Sequence, residues 1–283
     1  MRCFFSTENC LKIKVAALCQ KEGILSAKIR KFQEKVFAFY RQRGRDLPWR
    51  RTTDPYHILV SEIMLQQTQV ERVIPFYERW LGRWNTVDAL AGASLQEVLG
   101  QWMGLGYNNR ARRLLETAKR IRDDYNGDVL AACREYRYLP GVGEYTSRAV
   151  RIFAANENLA AVDTNIRRIL MAEFSLENPS TADLRALAER CLPTGRSRDW
   201  HNALMDYGAL YLTAAKSGIS PASKQGKFAG SVRQLRAEIL RELLQKGRVP
   251  CQRFESDERF PAALRGLLRE GMCRLEKHVL YIP

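Results

Sequence analysis

From Ala27 to Leu212 the apolar residues recur at helical spacing in short segments, and no stretch alternates apolar with polar as a half-buried strand would. This pattern confines the region to an all-α architecture. Ile29, Phe32, Val36, Phe39 and Tyr40 put one buried face on a helix over 27–42. Asp54-Pro55 starts a second helix, predicted from Tyr56 to about Thr68, with Ile58, Leu59, Ile63 and Leu65 on its apolar side. Further helices are predicted over 73–81, 86–91, 94–101, 109–125, 129–134, 145–155, 165–173, 181–191 and 198–214. Breaks at Gly92, Gly104-Leu-Gly106, Gly127, Gly141-Val-Gly143 and Asn156 separate several of them. No repeat of about 20 to 50 residues is visible, which argues against a solenoid.

The character changes after Leu212. Residues 213–228 are rich in Ala, Ser, Gly and Lys and read as a linker. Beyond them, 232–245 and 260–270 are amphipathic helices, and 273–282 alternates around a turn. Two helices and a small hairpin suit a winged-helix-like tail over 229–283. From Lys227 onward there are 12 Lys plus Arg against 7 Asp plus Glu, a balance that fits a packing module as well as a DNA contact.

Charge narrows the partner. The chain has 46 Lys plus Arg and 31 Asp plus Glu, a formal net charge of +15. Basic side chains gain affinity for polyanions by releasing condensed counterions, so nucleic acid leads and a membrane surface trails, with a merely basic solvated surface as the alternative. An apolar fraction of 46% supports a true core and excludes a disordered basic tail protein. No apolar run is long enough to span a bilayer. Glu8, Lys12 and Lys14 interrupt the apolar stretch of Met1 to Gln20, so no signal peptide is expected, and an intracellular, reducing location (cytoplasm or nucleoid) is. Cys3, Cys10, Cys19, Cys133, Cys191, Cys251 and Cys273 are an odd number without CxxC spacing; they read as free thiols, with no metal site.

The run Leu139-Pro-Gly-Val-Gly-Glu-Tyr-Thr-Ser-Arg-Ala-Val150 is more specific. Gly141 and Gly143 are expected to permit a left-handed turn and to let a phosphate approach the backbone. Amides exposed there, with the next helix N-terminus, make an anion site. Gly141, Val142, Gly143 and Thr146 are therefore candidate DNA-backbone contacts of a helix-hairpin-helix, against the plainer reading of a tight interhelical turn. Three further runs stand around it: Val60-Ser-Glu62-Ile-Met-Leu-Gln66-Gln67-Thr-Gln69, Gly104-Leu-Gly-Tyr107-Asn-Asn-Arg110, and Ala161-Val-Asp163-Thr-Asn165.

With LPWR at 47–50, these runs occur in the order seen in the helix-hairpin-helix (HhH-GPD) base-excision DNA glycosylases, and the chain most closely resembles their MutY adenine glycosylases from about Arg45 to Leu212. The resemblance implies a two-lobed fold: a six-helix barrel over 56–161, and a second lobe from 27–55 with 162–212. An N-terminal extension occupies 1–26, and the active site is expected in the cleft between lobes. It also implies a monomer acting on duplex DNA that bears a mispaired or damaged base.

Breaking an N-glycosidic bond builds positive charge on the sugar and needs a protonated leaving base. One carboxyl must therefore act as an acid while another stays ionised. The resemblance assigns these roles to Glu62, acid toward adenine N7, and Asp163, the carboxylate beneath C1′. Alone, Glu62 could be a partly exposed helix residue and Asp163 an N-cap. Apolar neighbours would raise the Glu62 pKa, and a helix N-terminus would help keep Asp163 ionised. Tyr145 and Asn165 match positions that orient the Asp and the sugar. Tyr145 also stands where bifunctional relatives carry lysine, so a monofunctional enzyme with at most weak β-elimination is expected. Gln67 and Tyr107 match residues inserted into the duplex, and Trp49, Arg50 and Leu65 match residues lining the adenine pocket. Trp49 also suits a core aromatic and Tyr107 a turn-packing residue.

Two departures matter. Most MutY relatives bind a four-iron cluster through CxxxxxxCxxCxxxxxC after an MDLGA-like run. Here Met205-Asp-Tyr-Gly-Ala209 is followed at those positions by Leu212, Ile219, Ala222 and Phe228, so no iron–sulfur cluster and no other cofactor is expected. Residues 229–283 are also too few for the C-terminal domain through which full-length relatives sense 8-oxoguanine, which leaves that recognition open. Leu65-Gln-Gln-Thr68 favours adenine, because the thymine-removing group tends to carry arginines there. Excision of adenine opposite 8-oxoguanine or guanine leads; a G·T or G·U mismatch glycosylase and a non-catalytic DNA-structure reader are the alternatives.

Overall fold

The computed structural model describes residues 7–219 and 227–283, with 7–21 by backbone alone. The helices are α1 (Thr7–Arg43), α2 (Pro55–Leu65), α3 (Val70–Arg83), α4 (Val87–Ala91), α5 (Leu95–Trp102), α6 (Asn109–Tyr125) and α7 (Val129–Arg134). They continue as α8 (Glu144–Ala155), α9 (Thr164–Phe174), α10 (Thr181–Arg190), α11 (Ser197–Asp206), α12 (Ala214–Ser217), α13 (Val232–Lys246) and α14 (Phe260–Arg269). Strands β1 (Arg248–Pro250), β2 (Arg274–Glu276) and β3 (Val279–Tyr281) form one small antiparallel sheet in the order β1-β3-β2. Among the described residues no helix is long and apolar enough to cross a membrane.

The chain divides into two compact units. One holds residues 1–45 and 156–221; the other holds 46–155 and 222–283. The second is built on an apolar cluster in which Ile58, Leu59, Met64, Trp80, Trp102, Leu114 and Ile121 are fully enclosed. Leu235, Ile239, Leu240 and Leu243 of α13 join that same cluster, and α13 lies against α5, so 227–283 shares a core with the helices before it. Local chemistry sets its helix ends. Asp54 caps α2 by accepting from the Tyr56 and His57 amides at 2.8 and 3.1 Å, with Pro55 preset for the first turn. Ser94 and Glu97 form a capping box on α5, and Asn126 closes α6 in the left-handed region.

The first unit packs Phe32 edge-on against Phe174 and Trp200, with Val36, Ile169 and Leu204 filling in. Helix α1 runs unbroken from Thr7, so residues 7–26 lie on the same helix as those that follow Ala27. A lone Gly23 costs only about 1 kcal/mol in a helix and does not stop it; the buried face begins at Ile29. Helix α11 ends sooner than its periodicity suggests, giving way to a π turn at Tyr207–Tyr211. Arg168, buried on α9, donates to the Gly208 and Leu212 carbonyls at 3.0 and 2.9 Å and fixes that turn. Linker residues 220–226 lie outside the described residues, and α12 occupies part of the remainder.

Candidate active site

Helix α2 is apolar on nearly every side, and Glu62 is its one acid, only 9% exposed. A carboxyl group held there is costly unless it serves something, which removes the reading of a partly exposed helix residue. Tyr145, half-buried, stands in the first turn of α8, the helix that packs along α2. Gln66 at the end of α2 donates to the Thr146 hydroxyl at 3.4 Å and links the two helices.

Asp163 and Asn165 belong to the other unit. Asp163 caps α9: one oxygen accepts from the Ile166 amide at 2.7 Å, the other from the Asn165 side chain at 2.9 Å. Asn165 in turn accepts from Arg168 at 3.0 Å, so a chain of three side chains fixes the carboxylate. Burial pushes the Asp163 pKa up, and the Ile166 and Asn165 hydrogen bonds and the Arg168 charge only partly offset it. The amides at the start of α9 thus favour the ionised form, as expected from sequence, but burial outweighs them. His201, buried, accepts from the Ala161 amide at 3.0 Å and meets the Ser197 carbonyl through its other ring nitrogen at 2.7 Å, holding the chain two residues before Asp163.

Gln67 is exposed and Tyr107 is 38% exposed, and both adopt left-handed backbone at φ 57° and 52°. Arg110, which closes the Gly104 run but has no role expected from sequence, sits beneath them: its guanidinium donates to carbonyls at the end of α2 and in the Gly104–Gly106 turn. Trp49 is buried edge-on against Tyr77 at 5.4 Å and serves the core. Arg50 and Leu65 are half-buried and belong to the same unit.

In the hairpin before α8, only Gly141 is left-handed, at φ 81°. Gly143 is not, which corrects the expectation for it; a Cβ there would meet nothing within 4 Å, so its value is open space at the surface. The Val142 and Thr146 side chains are buried, leaving their backbone as what they can offer a phosphate. Thr117 donates to the Pro140 carbonyl at 2.7 Å and ties the hairpin to α6.

The residues do not suit an iron–sulfur cluster. Leu212, Ile219 and Phe228 offer no thiolate, and Ala222 lies outside the described residues. The Cys133, Cys191, Cys251 and Cys273 side chains are buried, and among the described residues no group of three His, Cys, Asp or Glu is placed to hold a metal.

Residues 60–194 match the HhH-GPD superfamily base excision DNA repair protein. The chain is similar to an adenine DNA glycosylase of Mycolicibacterium smegmatis, 37% identical over 79% of this chain and 83% of that protein. It is also similar to the human adenine DNA glycosylase, 36% identical over 66% of this chain but 37% of that protein's length. Among solved structures, a thermostable thymine-DNA glycosylase superposes with a TM-score of 0.62 at 32% identity, over 67% of this chain and 90% of that one.

Proposed function

The chain belongs to the HhH-GPD superfamily of base excision DNA repair proteins and is a DNA glycosylase of the MutY type, and from that premise we propose that it acts as a monomer on duplex DNA and hydrolyses the glycosidic bond of adenine mispaired with 8-oxoguanine or guanine. The observation that carries this reading is the single acid buried in α2, set in SEIMLQQTQV, with a second carboxylate held by Asn165 at the start of α9.

Glu62 delivers a proton to adenine N7, so the base departs neutral and the electron pair of the C1′–N9 bond leaves with it. Asp163, ionised, stabilises the cation left at C1′, and water completes the hydrolysis. Asn165 orients the Asp163 carboxylate, and Tyr145 stands where a Schiff-base lysine would be needed for strand cleavage, so the product is an abasic site. Before this the base leaves the stack, with Gln67 and Tyr107 filling the gap it vacates. Gly141, Gly143 and the start of α8 grip phosphates without reading sequence, and the net charge of +15 makes binding steeply salt-dependent.

The test is incubation with duplexes bearing A·8-oxoguanine, A·G, T·G and U·G, followed by alkali. Scission of the first two supports the reading. Scission of T·G or U·G alone points to the mismatch class of the thymine-DNA glycosylase neighbour, and binding without scission to a structure reader. No cluster takes part; broad visible absorbance and stoichiometric iron in pure protein would overturn that.

A further inference from the structure

Arg110 lies on the first turn of α6, 9% exposed, and every hydrogen-bond partner of its guanidinium is neutral. One terminal nitrogen, Nη1, donates to the carbonyls of Ile63, Met64 and Gln66 at 2.9, 2.7 and 2.7 Å. The other, Nη2, donates to the Thr68 hydroxyl and the Gly106 carbonyl, both at 3.0 Å. Its plane lies among aromatic faces, 5.2 Å from the Trp102 ring centre and 5.1 Å from that of Tyr107. Burial lowers its pKa to about 10, which leaves it charged at neutral pH. The final carbonyls of a helix have no partner within it and carry its negative dipole end, so a buried cation there is matched without a carboxylate.

These partners adjoin two residues in strained backbone. Gln66 and Thr68 flank Gln67, and Gly106 immediately precedes Tyr107, whose own ring lies against the guanidinium; Gln67 and Tyr107 are both left-handed. Side chains other than glycine hold that conformation only where their surroundings over-determine it. We propose that Arg110 is a positioning residue, a single clamp that fixes the Gln67 and Tyr107 loops at one spacing and keeps both side chains presented to the duplex. It touches no reacting atom, and the inference rests on the glycosylase reading above. A lysine could not replace it, since one ammonium lacks the planar fork that reaches both loops.

The full chain carrying Arg110→Lys or Arg110→Met is compared with wild type on two duplexes, one with adenine opposite 8-oxoguanine and one with adenine opposite an abasic site. The second is already unpaired and needs less help to extrude. Both variants are expected to bind undamaged duplex within about twofold of wild type and to release adenine from the paired substrate at least tenfold more slowly in single turnover. The loss on the unpaired substrate is expected to be under threefold. The pH profile of that step stays in place, because neither carboxylate is touched. Gln67→Ala combined with Arg110→Lys is no slower than the slower single variant, since both remove the same wedge. Equal losses on both substrates, losses that multiply in the double variant, or a variant within twofold of wild type on the paired substrate overturn the proposal. If wild type releases thymine from T·G and no adenine, the adenine reading fails and the clamp is judged by the same ratios on thymine duplexes. Release of neither base overturns both.

Discussion

His201 offers a quantitative handle on the backbone that presents Asp163. The ring is 2% exposed and spans two main-chain groups: Nε2 accepts from the Ala161 amide at 3.0 Å while Nδ1 is 2.7 Å from the Ser197 carbonyl. Only the neutral tautomer protonated on Nδ1 satisfies both, because a proton on Nε2 would face the Ala161 N–H. Burial lowers the pKa from 6.5 to about 4, against the upward pull of the Ser197 hydrogen bond. The folded state thus binds this proton less readily than the unfolded chain. Stability is fully present above about pH 6.5 and is lost as pH falls toward about 4. At 1.36 kcal/mol per pH unit, the full loss is about 3 kcal/mol. Urea unfolding of wild type and His201→Gln, from pH 7.5 down to about 4, isolates it, since glutamine can accept and donate at the same places but does not titrate. The stability advantage of wild type should shrink by about 3 kcal/mol across the window. NMR of the wild-type imidazole provides a second readout and should show no titration above about pH 5.5. Parallel stability curves, or a His201 signal titrating near 6.5, would show that the buried ring protonates as freely as in the unfolded chain.

Gly208→Ala would put a Cβ 3.0 Å from Ile169 Cδ1 and 3.4 Å from Asn165 Cβ, so α9 must shift where it holds Asp163. Single-turnover excision should fall about tenfold while duplex affinity stays unchanged, since small misplacements of catalytic groups are costly. Gly141→Ala introduces a side chain at φ 81° with its Cβ 3.1 Å from Arg113 Cβ, a strain of about 1–2 kcal/mol. Anisotropy titrations should show about tenfold weaker binding to mispaired and undamaged duplexes alike; a loss confined to the mispair would count against the hairpin as a sequence-independent grip. In the proposed reaction Asp163 acts ionised, and burial raises its pKa, so the acid limb of the excision rate should lie above the ordinary aspartate range. Asn165→Ala, which removes a hydrogen bond to the charged form, should move that limb to still higher pH.

The sequence made the middle of the chain readable because local chemistry sets its helix ends. Helices α6 and α7 fall on the predicted residues, delimited by Asn126 in the left-handed region and by Asp128 accepting from the Ala131 amide. Residues whose roles depend on distant partners were not readable. Strand β1 is three residues long and exists only because Val249 pairs with Leu280. The π turn at 207–211 answers to Arg168, some 40 residues earlier. Arg110 likewise serves carbonyls 44 to 47 residues away, and backbone acceptors leave no mark on the pattern of side chains. Glu62 stood out for the opposite reason: an acid inside an apolar helical run is a local anomaly.

In the proposed reaction Glu62 and Asp163 together release adenine as a free base. Wild type, Glu62→Gln and Asp163→Asn should each be incubated in single turnover with an A·8-oxoguanine duplex, and the released base identified by mass. Wild type should give free adenine and an intact but alkali-labile strand, with release about a thousandfold slower in both variants while duplex binding persists. Adenine release from Glu62→Gln at the wild-type rate, or no adenine from wild type, would contradict that reaction.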